Sequence, residues 1–358
     1  MKLGFFTMPM HPIGKDWRTS LAEDRATFQL ADELGFVEGY AGEHATDPEE
    51  NITSAALFLA TLVDSTKTIR LGTGTTNMPN QHPAAIAGNL AMLDHLLGGR
   101  FIFGISPGAL PSDAEVFGNM DLPRPKMFIE SINHVLALWA GQPPYDLKGE
   151  FWNISTGRTH QPETGMGTIP RPLQRPHPPI VVTAVAPFSQ GITEAAARGW
   201  EPISANFLYP KWVKTHWGKY VEGCARGNRP ADIANWRVAK TVFVANDAAT
   251  AEAYASGSDG PYYYYYRSLF AKLKRRGALG VFKDDPKQPD DTVTLEKVID
   301  KLVIHGTPVQ VADKIRALQE ETGPFGTLLY AGVDWKDKTL ARNSMVLMAE
   351  KVLPLLNA

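Results

Sequence analysis

The chain has 358 residues, of which 44% are apolar and 21% charged, and its 36 Lys and Arg residues against 38 Asp and Glu residues give a formal net charge of −2. This composition is typical of a globular protein, and the small net charge predicts no attraction to nucleic acid or to an anionic membrane. The single cysteine, Cys224, excludes an intrachain disulfide bond and a cysteine-rich metal site. Because there is neither a signal-peptide pattern nor an apolar run of membrane-spanning length, we expect a cytoplasmic protein.

The first part of the chain alternates short apolar runs, typical of strands, with longer segments of helical periodicity. The predicted strands cover residues 3–8, 36–42, 69–74 and 100–106. The predicted helices cover residues 20–35, 53–64 and 83–97. Gly35 is a helix stop, and Pro83 stands at the first helical position, where its missing N–H costs least.

The second part of the chain continues this alternation with longer insertions. A helix at about 125–140 precedes a proline-rich stretch at 142–179. Further strands are predicted at residues 179–185, 201–207, 236–245 and 324–332, with helices at 192–199, 211–224 and 336–355. Eight strands alternating with helices predict an α/β fold, a (β/α)₈ TIM barrel forming one domain over residues 1–358. No GxGxxG pattern follows the first strand, which argues against a dinucleotide-binding sheet.

The longest insertion, at about 250–305, separates the seventh and eighth predicted strands. Insertions of this length on a barrel are usually lids or binding loops. The insertion contains five consecutive tyrosines (262–266), which fit neither the strand nor the helix period and are predicted to line a pocket or to pack against a partner subunit. The polar run 283–291 is either part of the lid or disordered.

In a barrel of this type the reactive groups collect at the carboxyl ends of the strands. The second predicted strand ends immediately before Glu43 and His44, so GEHATDPEEN (42–51) is either a solvated loop or the rim of an active site. The histidines of the chain form no HxH or HExxH pattern, and no metal site is predicted. Ser106 follows a strand but lacks a GxSxG elbow, and Pro107 has no N–H for an oxyanion hole. Strand ends rich in Gly, Ser and Thr suit a large cofactor bound through backbone contacts.

Residues 69–109 resemble the core of the bacterial-luciferase-like flavin monooxygenases, and GEHAT, VFG at 116–118 and Arg124 occur in the order expected for that family. The chain is similar above all to the two-component diketocamphane and limonene type, through GEHATxxxEN, QHPA and GTPVQVADKI (306–315). The resemblance implies reduced FMN supplied by a separate reductase, O₂, and a small hydrophobic substrate, with cyclic and terpenoid compounds as candidates. It also implies a homodimer formed by the helices around 83–97 and 124–140. Two alternatives remain open: a deazaflavin-dependent hydride-transfer enzyme and a non-catalytic flavin-binding protein.

The resemblance also implies roles for particular residues. His44 corresponds to the catalytic histidine, and imidazole suits proton transfer near neutral pH. The implied cofactor-binding residues are Glu43, Gly74, Thr75, Ser106, Arg124 and Ser189, with a non-prolyl cis peptide at Gly74–Thr75 and the flavin phosphate bound by Arg124 and Ser189. Ser106 and Pro107 stand where the luciferases have cysteine and arginine, which argues against light emission. Met10, His11, Phe207 and Trp217 are predicted to line the substrate pocket, and DPEEN (47–51) is predicted to be the solvated start of the next helix.

Overall fold

The computed structural model describes residues 1–7, 10–285 and 287–358. The strands in these residues are β1 (Lys2–Thr7), β2 (Glu38–Ala41), β3 (Arg70–Thr73), β4 (Thr76–Asn77), β5 (Phe101–Ser106), β6 (Asp146–Leu147), β7 (Ile154–Ser155), β8 (Ile180–Ala184), β9 (Glu201–Ser204), β10 (Arg237–Val244), β11 (Val303–Gly306) and β12 (Thr327–Gly332). The helices are α1 (Trp17–Glu33), α2 (Ala55–Ala60), α3 (Pro83–Leu96), α4 (Pro111–Val116), α5 (Arg124–Ala140), α6 (Gln190–Ala197), α7 (Pro210–Arg226), α8 (Ala248–Ser256), α9 (Pro261–Arg275), α10 (Leu295–Leu302), α11 (Pro308–Thr322), α12 (Lys338–Leu347) and α13 (Leu353–Asn357).

Eight of the described strands pair in parallel and close into a barrel, in the order β1, β2, β3, β5, β8, β9, β10 and β12. The ring closes where Thr327 of β12 lies opposite Lys2 of β1 and where Ile203 of β9 lies opposite Arg237 of β10. The predicted (β/α)₈ barrel is therefore confirmed. Each predicted strand overlaps one barrel strand, although Met8, the last residue of the first predicted strand, lies outside the described residues.

The inside of the barrel is filled by side chains, which leaves the carboxyl ends of the strands as its open mouth. Near the opposite end, Arg237 donates to Glu38 and Glu201, with Nε 2.5 Å from Glu38 Oε1 and Nη1 2.6 Å from Glu201 Oε2. The next layer is a cluster of buried apolar side chains from the barrel strands: Phe6, Tyr40, Ile102, Val181, Ile203, Ala239 and Leu329.

Helices cover the outside of the barrel through apolar faces. Phe28 of α1 lies between Phe5 of β1 and Phe58 of α2, with ring centroids 5.1 and 5.6 Å apart. Burying one such ring contributes about 2 kcal/mol. Asp16 begins α1 by accepting a hydrogen bond from the N–H of Thr19. Among the described residues, no helix combines the length and apolar character that crossing a membrane requires.

The longest insertion does lie between the seventh and eighth barrel strands, β10 and β12, and it is largely helical. It contains α8, α9, α10 and α11, together with β11, a strand that was not predicted and that pairs with β10. The five-tyrosine run is the first part of α9, and Tyr262, Tyr265 and Tyr266 are buried at the helical spacing i, i+3, i+4. In the polar run 283–291, Pro286 lies outside the described residues.

Candidate active site

His44 lies at the barrel mouth, in the loop that follows β2. Its backbone N–H donates to the carbonyl oxygen of Ile52 at 3.0 Å, which ties the loop to the residues before α2. The ring nitrogen Nδ1 lies 3.0 Å from Oδ2 of Asp113 on α4, and Nε2 lies 3.7 Å from Oε2 of Glu50. The imidazole is thus placed between two carboxylates.

Asp113 fixes the orientation of this imidazole. Its Oδ1 accepts hydrogen bonds from the N–H groups of Ala45 and Thr46, at 3.1 and 2.9 Å, and from the Thr46 hydroxyl at 2.6 Å. Burial favours the neutral acid, but the hydrogen bonds from His44 and Thr46 prevail and lower the pKa of Asp113. Because an ionised carboxylate can only accept, it selects the tautomer of His44 that carries a proton on Nδ1.

The neighbouring acids also set the charge of His44. Burial disfavours the charged ring, but the carboxylates of Glu50, Asp113 and Asp47 outweigh it and raise the pKa of His44. With Nδ1 held by Asp113, the nitrogen left to gain or lose a proton is Nε2. The site can therefore hold a proton at one defined atom and exchange it there.

Glu43 joins this loop to its surroundings. Its two carboxylate oxygens accept from the backbone N–H groups of Asn77 and Ala55, each at 2.9 Å, and its carbonyl oxygen accepts from Asn77 Nδ2 at 3.0 Å. Burial raises the pKa of Glu43, although the two N–H groups oppose that shift. These contacts hold the loop against α2 and β4, and a contact between Glu43 and a flavin stays a prediction.

The prediction that residues 47–51 are a solvated helix start was wrong. Asp47, Glu49, Glu50 and Asn51 are each at most 9% exposed, and α2 begins only at Ala55. We call residues 47–50 the acidic segment. Helix α9 covers it through Lys272, whose Nζ lies 2.5 Å from Oδ2 of Asp47.

Two further side chains of α9 bind the same segment. The Tyr264 hydroxyl donates to Oε1 of Glu49 at 2.6 Å, and the Ser268 hydroxyl donates to Oε2 of Glu49. Tyr264, Ser268 and Lys272 are spaced i, i+4, i+8 and therefore lie along one edge of the helix. That spacing on α9 and the run of three acids are the two sequence signals of this contact, but neither one locates the other.

The third barrel strand ends as the sequence predicted. The Gly74–Thr75 peptide bond is cis, which confirms that expectation. A Cβ atom on Gly74 would lie 2.9 Å from Cε2 of Phe6, so only glycine fits here without a shift of the packed ring. The Thr75 hydroxyl donates to Oγ of Ser106 at 2.6 Å, and Ser106 in turn donates to Oδ1 of Asn77 at 3.0 Å. These hydroxyls connect the mouth ends of β3 and β5.

The guanidinium of Arg124, the first residue of α5, is bound without a carboxylate partner among the described residues. Its Nη2 donates to the carbonyl oxygen of Pro107 at 2.6 Å, and its Nη1 donates to Oδ1 of Asn119 and of Asn80. No acid of the described residues forms a salt bridge with it. Ser189 precedes α6 and makes no side-chain capping bond, so its hydroxyl stays available.

The four predicted pocket residues separate into two groups. Met10 belongs to the buried apolar cluster that includes Tyr265 of α9, Phe207 packs against that cluster, and both residues follow the carboxyl ends of barrel strands. Trp217 was wrongly predicted: it stacks on Trp236, with centroids 5.6 Å apart, and Trp236 precedes β10 at the opposite end of the barrel.

His11 was also wrongly predicted as a pocket residue, because its ring is buried among charged groups. Nδ1 lies 2.5 Å from Oδ1 of Asp334, and Nε2 lies 3.3 Å from Asp24. Burial opposes the charged ring, but the carboxylates of Asp24 and Asp334 prevail and raise the pKa of His11 to about 9. His11, Glu23 and Asp334 have the proximity of metal ligands, yet Nζ of Lys15 lies 2.5 Å from Asp334 and 2.9 Å from Glu23 and supplies the positive charge there.

Comparison with known proteins places this chain in a family. The profile of the family described as "Luciferase-like monooxygenase" matches residues 1–324. The 4-hydroxyprotoasukamycin monooxygenase of Streptomyces nodosus subsp. asukaensis is 30% identical over 365 residues, covering 100% of this chain and 92% of that protein. The limonene 1,2-monooxygenase of Rhodococcus erythropolis is 27% identical over 355 residues, covering 99% of this chain and 86% of that protein.

A solved structure extends the similarity to three dimensions. The oxygenating constituent of 3,6-diketocamphane monooxygenase from Pseudomonas putida, a type II Baeyer–Villiger monooxygenase in complex with FMN, superposes with a TM-score of 0.89. It is 27% identical, and the match covers 99% of this chain and 98% of that one. Profile, relatives and fold agree over nearly the whole length, and the chain belongs to the luciferase-like monooxygenase family.

Proposed function

We propose that the protein is the oxygenating component of a two-component flavin monooxygenase, which takes reduced FMN from a separate reductase and uses O₂ to oxygenate a small hydrophobic substrate. The observation that carries this proposal is His44 at the barrel mouth, with Nδ1 held by Asp113 and Nε2 left to exchange a proton. A similar protein of the family is the oxygenating constituent of its enzyme and holds FMN. Reduced FMN, when bound, supplies the electrons that activate O₂.

The residues at the mouth fit FMN. Within the described residues the Arg124 guanidinium is bound only to neutral oxygens, of Pro107, Asn80 and Asn119, so its charge is available for a phosphate. The Ser189 hydroxyl and the first N–H groups of α6 suit the same group. The cis peptide at Gly74–Thr75 and the hydroxyl of Ser106 are proposed to support the ring system, and Glu43 to hold the loop beside it.

The protein's own part in the reaction is to hold a proton and to exclude water. His44 supplies or takes a proton at Nε2 as the oxygen atom is transferred. Met10 and Phe207 under α9 form an apolar wall, which favours a hydrophobic substrate over a charged one. Cyclic ketones and terpenes are the substrate classes to examine first, because the similar proteins act on limonene and on a diketocamphane.

We also propose that the protein is a homodimer. Met92 and Leu96 on α3 are 58% and 51% exposed, and Ile129 on the adjacent α5 is 36% exposed. Apolar side chains gathered on neighbouring helices mark a protein–protein interface. Light scattering on the purified protein should give twice the chain mass, and a Met92→Asp, Leu96→Asp variant should give the mass of one chain.

The function is tested by supplying reduced FMN through an added reductase and measuring oxygen uptake with product analysis under ¹⁸O₂. We expect one labelled oxygen atom in the product and a loss of about a hundredfold in turnover for His44→Gln. His177→Gln is the control, because His177 precedes β8 at the other end of the barrel. Substrate reduction with a reduced deazaflavin and no oxygen uptake would instead identify a hydride-transfer enzyme. FMN binding without turnover of any candidate substrate would indicate a non-catalytic flavin-binding protein.

A further inference from the structure

Glu50 differs from the other acids around His44 because its carboxylate makes no hydrogen bond within the described part of the chain. Glu50 is 6% exposed, and its Oε2 is buried without a partner among the described residues. Asp113 accepts from His44 and from Thr46, and Glu49 accepts from α9, so their oxygens are satisfied. A buried carboxylate without hydrogen bonds is costly and is therefore expected to take or share a proton.

The unpartnered oxygen faces the imidazole. Oε2 of Glu50 lies 3.7 Å from Nε2 of His44, and Oε1 lies 3.8 Å from Nζ of Lys272. Glu50 and His44 line one small cavity at the barrel mouth, together with Thr7, Gly42, Glu43, Asn51 and Ile52. The separation of 3.7 Å is that of an ion pair, and a small rotation of the ring or one water molecule completes a hydrogen-bonded path.

We propose that Glu50 is a positioning residue that stores the exchangeable proton of His44. The N–H bond at Nε2 breaks as an O–H bond forms at Oε2, which converts imidazolium and carboxylate into neutral imidazole and neutral acid, and the reverse step restores them. The exchange needs no further reactant. That the stored proton serves oxygen transfer rests on the proposed function, whereas the pairing itself does not.

Charged groups from three elements control this exchange. Asp113 on α4 and Asp47 in the acidic segment face His44 together with Glu50. Lys272 on α9 faces Glu50 from the other side, and Asp47 and Glu49 lie beside it. Burial raises the pKa of Glu50, although the positive charges of His44 and Lys272 oppose that shift. Both partners thus bind protons more tightly than they would in water.

The pairing is tested in the flavin-free protein by following the ring nitrogens of ¹⁵N-labelled histidine through a pH titration. The His44 signal is assigned by its loss in His44→Gln. We expect Glu50→Gln, which keeps the shape but cannot ionise, to move the His44 titration to lower pH. Glu49→Gln is the matched control, because Glu49 is bound by Tyr264, Ser268 and Lys272, whereas the acids that raise the pKa of His44 are Glu50, Asp113 and Asp47. An unchanged His44 titration in Glu50→Gln would overturn the proposal.

If Glu50→Gln fails to fold, a second measurement on the unaltered chain tests the same pairing. The carboxyl ¹³C signal of Glu50 should show an inflection at the pH where the His44 ring titrates, because coupled groups share their titration steps. A single inflection in the ordinary range of glutamate would reject the pairing.

Activity separates the two proposals. Glu50→Gln should shift the acidic limb of the kcat profile and reduce turnover about tenfold with little change in KM. If the His44 titration shifts but the unaltered protein never oxygenates a substrate, the pairing stands and the monooxygenase function fails. If turnover is independent of Glu50 while the titration shifts, the storage role is rejected.

Discussion

Nζ of Lys272 lies 2.5 Å from Oδ2 of Asp47 and 3.0 Å from Oε2 of Glu49, so α9 is bound to the segment that follows His44. We expect Lys272→Met to destabilise the protein by about 2 kcal/mol, because it leaves buried carboxylates without their cation. Hydrogen exchange in residues 261–275 should become faster, since the edge of α9 loses its charged contact. Urea denaturation and exchange mass spectrometry measure the two effects.

Lys274→Met is the matched control for that variant. Lys274 is an exposed lysine of the same helix, and no acid in the described part of the chain pairs with it. Its replacement should change the unfolding free energy by less than about 0.5 kcal/mol. Equal effects of the two substitutions would show that the contact with the acidic segment does not hold α9 in place.

The fold was predictable because most barrel strands contain a short apolar run between turn residues. Strands buried on both sides carry few polar residues, as in FIFGI (101–105), and that pattern is visible without knowing the partners. The Gly74–Thr75 bond was predictable only through family resemblance, since nothing local in GTGTT distinguishes its peptide bonds.

The burial of the acidic segment under α9 was not predictable from local pattern, because its acids are paired with side chains that lie far along the chain. The three acids in DPEEN have the pattern of a solvated segment, and the lysine that pairs with them lies more than two hundred residues later in the chain. The five tyrosines conceal the helical period, since tyrosine suits both buried and half-buried positions. In the structure Tyr262 donates to the carbonyl oxygen of Val242 and Tyr264 to Glu49, so neighbouring tyrosines face different surroundings.

Gly74 should tolerate no side chain. A Cβ atom there would lie 2.9 Å from both Phe6 Cε2 and Tyr40 Cβ, inside the closely packed barrel. We expect Gly74→Ala to lower the unfolding free energy by about 1–3 kcal/mol. Gly88→Ala on α3, where a Cβ meets nothing within 4 Å, should be neutral or stabilising by up to about 1 kcal/mol. Urea denaturation compares them, and a stable Gly74→Ala would mean that the two rings can move aside.

Arg124 should be needed for its forked shape as well as for its charge. We expect Arg124→Lys to weaken FMN binding about tenfold, because an ammonium cannot bind two phosphate oxygens as the guanidinium does. Quenching of FMN fluorescence gives the dissociation constant. Lys126→Ala is the control, since that side chain is on the same helix and 69% exposed. Unchanged FMN affinity in Arg124→Lys would show that the phosphate is not bound by Arg124.

His11 should make stability depend on pH. Its pKa is raised from 6.5 to about 9 in the folded chain, so the proton is held only by the folded state between these values. The stabilisation is complete below about pH 6.5 and is lost as the pH rises through about 9. His11→Asn should therefore cost roughly 2 kcal/mol more at about pH 7 than at about pH 9.5.

Urea denaturation of both proteins at these two pH values measures that difference, and His216→Asn is the matched control. His216 is also buried, with Nδ1 2.8 Å from the Ser204 hydroxyl, but burial lowers its pKa to about 4. Its ring is therefore neutral in the folded chain and mostly neutral in the unfolded chain over this range, and the cost of replacing it should vary by less than about 0.5 kcal/mol. If His11→Asn behaves in the same way, the ring is not held charged by Asp24 and Asp334.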